Sequence, residues 1–296
     1  IEEESLSSYL VREGFAFAYT RYSKKFVQDE QFAIKNKLGM WSMNFIFPWD
    51  FRKKNIHSNN MKEIILKKKH KKYFLFQRNE YLSDKQLRIR KLFGRYLFTK
   101  IVINFFNSLD TINLNLNIDF KKEFKGISKY LPKKVSNILD IGSGIGVIDV
   151  FLSQHYKGNV NFTLIDKNFT ENKVYYGFND KGQAYNDFKV TKDFLLTNGL
   201  KSNQISIFDA DSSYSTNIKY DFVISLLSMG YHYPVKQYFS FFKTNTHKDT
   251  VFIFDIAEEY NDKDNIFSLF DTFEVIYKSN LPRHNYSRIY CIGFKS

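Results

Sequence analysis

Cysteine is almost absent: Cys291 is the only one in 296 residues. A lone thiol excludes an internal disulfide and a cysteine-based zinc site. It fits a reducing compartment, so a cytoplasmic location is expected. Long apolar runs are missing too. The longest candidate, Tyr96 to Phe106, is interrupted by Thr99, Lys100 and Asn104, and falls short of the roughly 18 residues that span a bilayer. The opening Ile1-Glu2-Glu3-Glu4 is unlike a signal peptide, which is first cationic and then apolar. An opening without methionine points to a processed or trimmed N-terminus. No internal repeat of fixed period and no long low-complexity tract is present. Hydrophobic residues at 43% and charged residues at 25% exclude wholesale disorder. The length suits one large domain or two modest ones.

Acidic residues are scarce in one window. Residues 52–100 hold 16 Lys and Arg against 3 Asp and Glu, and this window accounts for the chain's net charge of +13. Such a stretch attracts polyanions: nucleic acid, anionic lipid or a phosphate-bearing substrate. The plainer account is a Lys-rich solvated face in a sequence rich in Lys, Asn, Ile, Phe and Tyr.

What is present reads as two parts. Residues 1–120 form a mainly helical, basic N-terminal region. Ser5–Tyr22, Lys24–Lys37, Ser58–Tyr73 and Ser83–Phe106 carry apolar residues at helical spacing, with Ser58 and Ser83 as N-caps. Between them, Trp41, Phe45, Phe47 and Trp49 make an aromatic stretch, and the Asn-rich Asn107–Asn117 reads as a connection. Residues 121–296 form the second domain. Val135–Ile141, Val160–Asp166, Gln204–Asp209, Tyr220–Leu226 and Thr250–Ile256 read as strands with helix-length intervals, which predicts an α/β fold with a mostly parallel sheet. Phe273–Tyr277 and Ser287–Phe294 are close enough to make an antiparallel final pair.

The main chemical signal is Asn137-Ile138-Leu139-Asp140-Ile141-Gly142-Ser143-Gly144-Ile145-Gly146: an apolar strand, an acid, then glycines at alternate positions. Glycine lets the backbone turn tightly and lets a ligand approach it. A strand-to-helix turn at the carboxyl end of a parallel sheet is where such folds bind nucleotides. Asp166 follows Gly146 by twenty residues and ends the next strand, where an acid can take both hydroxyls of a ribose.

On these residues the chain resembles the class I S-adenosylmethionine (SAM)-dependent methyltransferases, over about residues 125–296. The resemblance implies a Rossmann-like sheet with an antiparallel last strand, SAM as cofactor, and cofactor contacts from Asp140, Gly142, Ser143, Gly144, Gly146 and Asp166. It also implies an acid on adenine, either Asp209 or Asp211, and backbone at Ser225 and Leu226 beside the cofactor. A nicotinamide dinucleotide suits the sequence less well. The glycines are not spaced as Gly-x-Gly-x-x-Gly, and Asp140 would repel a pyrophosphate yet attract the cationic groups of SAM.

His232, in Ser228-Met229-Gly230-Tyr231-His232-Tyr233-Pro234 after the fourth strand, is the candidate general base for a hydroxyl acceptor. Its plainer role is as a pocket wall between Tyr231 and Tyr233. His284, Asp255, Glu258 and Glu259 are weaker candidates, expected to be solvated. No Asp/Asn-Pro-Pro-Tyr/Phe motif follows the fourth strand, Cys291 lies far from that loop in sequence, and no acid cluster suggests a catalytic metal; none is expected. Tyr175, Tyr176, Phe178 and Tyr185 lengthen the connection after Asp166 and suit either packing or a cover over the site. The leading expectation is O-methylation of a small molecule such as a sugar or a phosphate-bearing metabolite, with Trp41, Phe45, Phe47 and Trp49 as pocket walls. The alternatives are an RNA methyltransferase gripping phosphates through residues 52–100, notably Lys68-Lys69-His70-Lys71-Lys72, and a non-catalytic partner protein of the same fold. The sequence leaves the oligomeric state open.

Overall fold

The computed structural model describes residues 5–18, 20, 23–42, 61–103, 108–170, 185–212, 216–260, 263–281 and 284–295. The chain parts into two compact units, residues 1–60 and 61–296. In the first, α1 (Leu6–Arg12) and α2 (Val27–Lys35) are followed by a helical turn, Gly39–Ser42. Ser5 caps α1 by accepting the Ser8 N–H, and the Ser8 hydroxyl donates to Asp29 on α2. Gly14 sits at φ +73°, where any Cβ would collide with the carbonyl of Leu38. Trp41 packs edge-on against Phe17. Phe45, Phe47, Trp49 and Ser58 lie outside the described residues.

The second unit holds α3 (Lys68–Gln77), α4 (Asp84–Phe98), α5 (Leu109–Ser128), β1 (Asn137–Ile141), α6 (Val147–His155), β2 (Asn161–Asp166), α7 (Phe188–Thr197), β3 (Ile205–Asp209), β4 (Tyr220–Ser225), α8 (Phe239–Asn245), β5 (Thr246–Ala257), α9 (Lys263–Ser268), β6 (Phe270–Leu281) and β7 (His284–Phe294). The strands form one sheet in the order β3-β2-β1-β4-β5-β7-β6. β1 to β5 run parallel, and β7 pairs antiparallel with both β5 and β6. This is the expected α/β class, a Rossmann-like, mostly parallel sheet with an antiparallel close.

Side chains alternate along the central strands. Phe222, Ile224, Val251 and Ile253 join one core with residues of α3, α5, α6 and α7, while Val223, Phe252 and Phe254 join another with residues of α8 and α9. Period-two alternation between two apolar layers is what a sheet covered on both faces requires. Leu75, Phe74, Leu116 and Phe120 are buried in the first of these cores. The helices between 61 and 128 therefore pack as part of the unit that carries the sheet.

Three local expectations change. The third helix begins at Lys68, ten residues after Ser58, and is preceded by residues 62–67, which have no regular secondary structure. Ser83 does cap α4, in a box with Gln86, but the helix kinks at Gly94, whose φ is +73°. The Asn-rich stretch is helical: Leu109 to Asn117 lie within α5. Its amides have a specific use. Asn117 accepts the Ile64 N–H at 2.8 Å and donates to the Ile64 carbonyl at 2.9 Å, and Asn113 treats Leu66 in the same way. From the other side Asn198, which caps α7, holds both backbone groups of Ile65. Three side-chain amides thus do for residues 64–66 what neighbouring strands do inside a sheet, satisfying buried backbone groups.

Candidate active site

The carboxyl ends of β1, β2 and β4 converge on the glycine turn. Gly142, Gly144 and Gly146 have φ of +73°, +58° and +83°, the left-handed region that other residues enter only with strain. The turn is tied at every step. Gly142 N–H bonds Ile165 O at 2.7 Å, Gly144 N–H bonds Asp166 Oδ2 at 2.7 Å, and Gly146 N–H bonds Ser143 O at 2.9 Å. The carbonyl of Gly144 accepts from Asn186 at 2.6 Å and from the Thr191 hydroxyl at 3.0 Å. Ile145 N–H donates to Gln77 Oε1 at 3.2 Å, so the end of α3 lies on the turn. A Cβ on Gly144 would run into the Gln77 amide, and one on Gly142 into the Ser228 side chain.

Asp166 accepts from Gly144, from its neighbour Lys167 N–H at 2.7 Å and from Asn186 at 3.3 Å. Burial nonetheless pushes its carboxyl up to about 6. Asp140 and Asp149 make a second acidic feature beneath the turn. Asp140 is 3% exposed and Asp149 0%. Burial, reinforced by Asp149, raises the Asp140 carboxyl, and burial pushes Asp149 up to about 7. Neither oxygen of Asp149 meets a hydrogen-bond donor among the described residues. Side by side and buried, the two carboxyls cannot both ionise cheaply.

The other expected residues are placed as follows. Asp209 is the register partner of Asp166 across β2 and β3, while Asp211 is exposed and paired with Lys167 at 3.1 Å. Ser225 is fully buried, its hydroxyl donating to Ile141 O and accepting from Met229 N–H. Leu226 is half-buried beside it, and Leu227 takes a φ of +55°. His232 lies in the turn after β4, its N–H on Ser228 O at 2.7 Å and its ring edge-on to Tyr231 at 4.8 Å.

Asp255 is not solvated: it is 0% exposed and gripped by Arg288 through Nε at 2.7 Å and a terminal nitrogen at 2.9 Å. Arg288 also donates to Glu123 at 2.8 Å, and Glu123 accepts from Arg78 at 2.9 Å. The two guanidinium groups hold the Glu123 carboxyl below its usual range despite burial. Glu258 pairs with Lys263, while Tyr175, Tyr176 and Phe178 and the side chain of His284 lie outside those described. Sequence reasoning missed Gln77, Asn186, Thr191 and Asp149. Only Asp149 is near the motif, and its i+3 position after Gly146 is the one signal that was available.

The Lys68–Lys72 run is solvated only in part: Lys68 and Lys69 are exposed, the rest is not. His70 is 0% exposed and bonded to Asp193 at 2.7 Å, Lys71 is 6% exposed, and Lys69 pairs with Asp193 at 2.7 Å. Arg90 and Arg95 are each 1% exposed. Part of the positive window is thus structural.

The residues at the turn suit the methionine end of SAM. Around it stand the acidic pair for an ammonium and two buried polar atoms without a partner among the described residues, Gln77 Nε2 and Ser143 Oγ, for a carboxylate. Gln77 Oε1 is committed to Ile145, which turns Nε2 into a fixed donor.

No family model matches the chain, and no curated protein matches it. Among solved structures it is similar to the ribosomal protein L11 methylase of Lactobacillus delbrueckii subsp. bulgaricus, at 14% identity over 61% of this chain and 80% of that one, TM-score 0.38. It is also similar to the precorrin-6y C5,15-methyltransferase of Geobacter metallireducens, at 14% identity over 58% and 86%, TM-score 0.39. A third is the T. thermophilus 16S rRNA N2 G1207 methyltransferase in complex with AdoMet and guanosine, at 13% identity over 60% and 43%, TM-score 0.40.

Proposed function

We propose that this chain is a SAM-dependent methyltransferase that methylates an oxygen of a small, phosphate-bearing acceptor. The observation that carries the proposal is the turn itself: three alternate glycines at positive φ, closed by Asp166 on the Gly144 N–H at the end of a parallel strand. SAM, when bound, supplies an electrophilic methyl group on a sulfonium. Asp166 takes the ribose hydroxyls. Asp140 and Asp149 face the ammonium, and Gln77 and Ser143 face the carboxylate. Of the two candidate acids for adenine, Asp209 is preferred as the register partner of Asp166, and the pairing of Asp211 with Lys167 supports that choice. Ser225 and Leu226 contribute the backbone wall. His232 accepts the acceptor's hydroxyl proton as the methyl arrives, which typically contributes about 10²–10⁴-fold. With His70 and Lys71 buried, only part of the basic run is open to a phosphate backbone, which supports the small-acceptor reading. The single buried Cys291 suits a reducing compartment, and the cytoplasm is the proposed location. Among the described residues no helix is long and apolar enough to cross a membrane.

Calorimetry with S-adenosylhomocysteine tests the cofactor assignment. A micromolar dissociation constant is expected, weakened about 10–100-fold in Asp166→Ala by loss of a charge-assisted pair. Tight NAD binding without S-adenosylhomocysteine binding would overturn it. Methyl-labelled SAM and extract then test turnover. His232→Gln should lose most activity while keeping cofactor affinity, and a fully active variant removes His232 as the base. Binding without any turnover in the wild type would favour the non-catalytic partner.

A further inference from the structure

A cavity of about 470 Å³ opens between α3, α4 and the segment after β2, lined by Lys72, Tyr73, Phe76, Tyr96, Lys100 and Thr170 with Thr99. Its volume lies within the roughly 300–1,000 Å³ typical of small-molecule sites. Its polar groups fall into two kinds. The hydroxyls are engaged: Tyr73 donates to Asp187 Oδ2 at 3.2 Å, Tyr96 to Thr170 O at 3.0 Å, and Thr99 to Arg95 O at 2.7 Å. The ammonium groups of Lys72 and Lys100 have neither an ion pair nor a hydrogen bond among the described residues. Lys72 lies only over the Tyr73 ring, at 4.6 Å. Asp187, behind this wall, is committed, with Oδ1 capping α7 and Oδ2 on Tyr73.

Tyr96 stands open at 63% exposure with Tyr73 and Phe76 behind it at 6% and 5%, and with two cations unmatched among the described residues this wall is complementary to a planar ring that carries an anion. Rings stack on Tyr and Phe faces at about 1–3 kcal/mol per base, whatever the base. Ammonium groups are point-charge ligands for phosphate. The cavity wall is linked along the chain to residues that hold the glycine turn. Phe76 precedes Gln77, which holds Ile145, and Asp187 follows Asn186, which holds Gly144.

We propose that this cavity binds the acceptor as a nucleotide, its base among Tyr73, Phe76 and Tyr96 and its phosphate on Lys72 and Lys100. The proposal rests on the methyltransferase reading for the word acceptor, and on the cavity alone for the word nucleotide. The same chemistry is offered by a free mononucleotide or by a nucleotide unit of RNA.

The test is equilibrium binding to the full chain, by calorimetry for 5′-AMP, 5′-GMP, adenosine and glucose 6-phosphate, and by fluorescence anisotropy for a labelled 12-residue oligoribonucleotide. The variant is Lys72→Gln/Lys100→Gln, with thermal melting to show that it folds. The expected result is binding of a mononucleotide at least tenfold tighter than adenosine or glucose 6-phosphate, reduced at least tenfold in the double variant. A free nucleotide as the source gives an oligonucleotide affinity no better than the mononucleotide. RNA as the source gives oligonucleotide affinity at least 100-fold tighter, steeply salt-dependent and lost in the same variant. Three results would overturn the proposal: no nucleotide binding in either form, nucleotide affinity unchanged in the double variant, or displacement of the nucleotide by S-adenosylhomocysteine, which would assign it to the cofactor turn. Failure of the methyltransferase reading is separate: S-adenosylhomocysteine then fails to bind while the nucleotide still does.

Discussion

Asp149 has no charged partner but another acid. Among the described residues, the charged groups facing the pair are Asp140 itself on β1 and Asp166 at the end of β2, and no cation offsets them. A native pKa of about 7, against 3.8 ordinarily, means that the folded state holds a proton that the unfolded chain releases. The stabilisation is then fully present below about pH 4 and is lost as pH rises through 7. Asp149→Asn keeps the shape and removes the titration. In the ligand-free protein it is expected to raise the melting temperature at pH 8 by a few degrees, with the gain shrinking toward pH 5. Melting curves at four pH values check this, and a gain that is equal at every pH would sink it. The glycines of the turn were legible because their left-handed backbone is a local property of residue type. The acidic pair was only half legible. Asp140 stands in the motif, but its meeting with Asp149 depends on how α6 lies over β1, which no spacing rule fixes.

Among the elements, an ionic chain runs Asp255, Arg288, Glu123, Arg78 from β5 through β7 and α5 to the end of α3. Its four charges sum to zero, which is what allows them to be buried. Asp255 also accepts the N–H of Leu227 at 3.1 Å, holding the residue of positive φ that follows β4. Arg288→Met removes one cation and leaves the buried Asp255 carboxylate without its ion pair, while Glu123 keeps Arg78, at a cost of about 3–5 kcal/mol. Urea denaturation measures it, and a loss under 1 kcal/mol would show the chain to be dispensable. The sequence made the five parallel strands and the final hairpin readable because β-branched and aromatic runs alternate there with helix-length intervals. It misled over Asn107–Asn117. Asparagine favours turns by bonding its own backbone, whereas here the amides of Asn113 and Asn117 bond a segment about fifty residues earlier. That partner is invisible to local propensity. Asp255 was misjudged for the same reason, since Arg288 lies 33 residues on.

At the scale of the molecule, the helices of residues 61–128 share one core with the sheet, and the amide-held segment 64–66 is how the chain enters that core. This has a consequence for the order of folding. The segment's partners lie 53 and 133 residues away in sequence, and they exist as partners only once α5 and α7 have formed. Closing such long loops is slow and is rewarded late, so residues 61–67 should dock after the transition state. Asn117→Ala, which strands both backbone groups of Ile64, is expected to cost about 1–3 kcal/mol. In stopped-flow measurements nearly all of that cost should appear as faster unfolding, with the refolding arm unchanged. Slower refolding would instead place the segment in the nucleus. Since the segment leads directly into α3, and α3 delivers Gln77 to Ile145, late docking makes the Gln77 side of the glycine turn the last of its ties to form and the first to be lost when the chain begins to unfold.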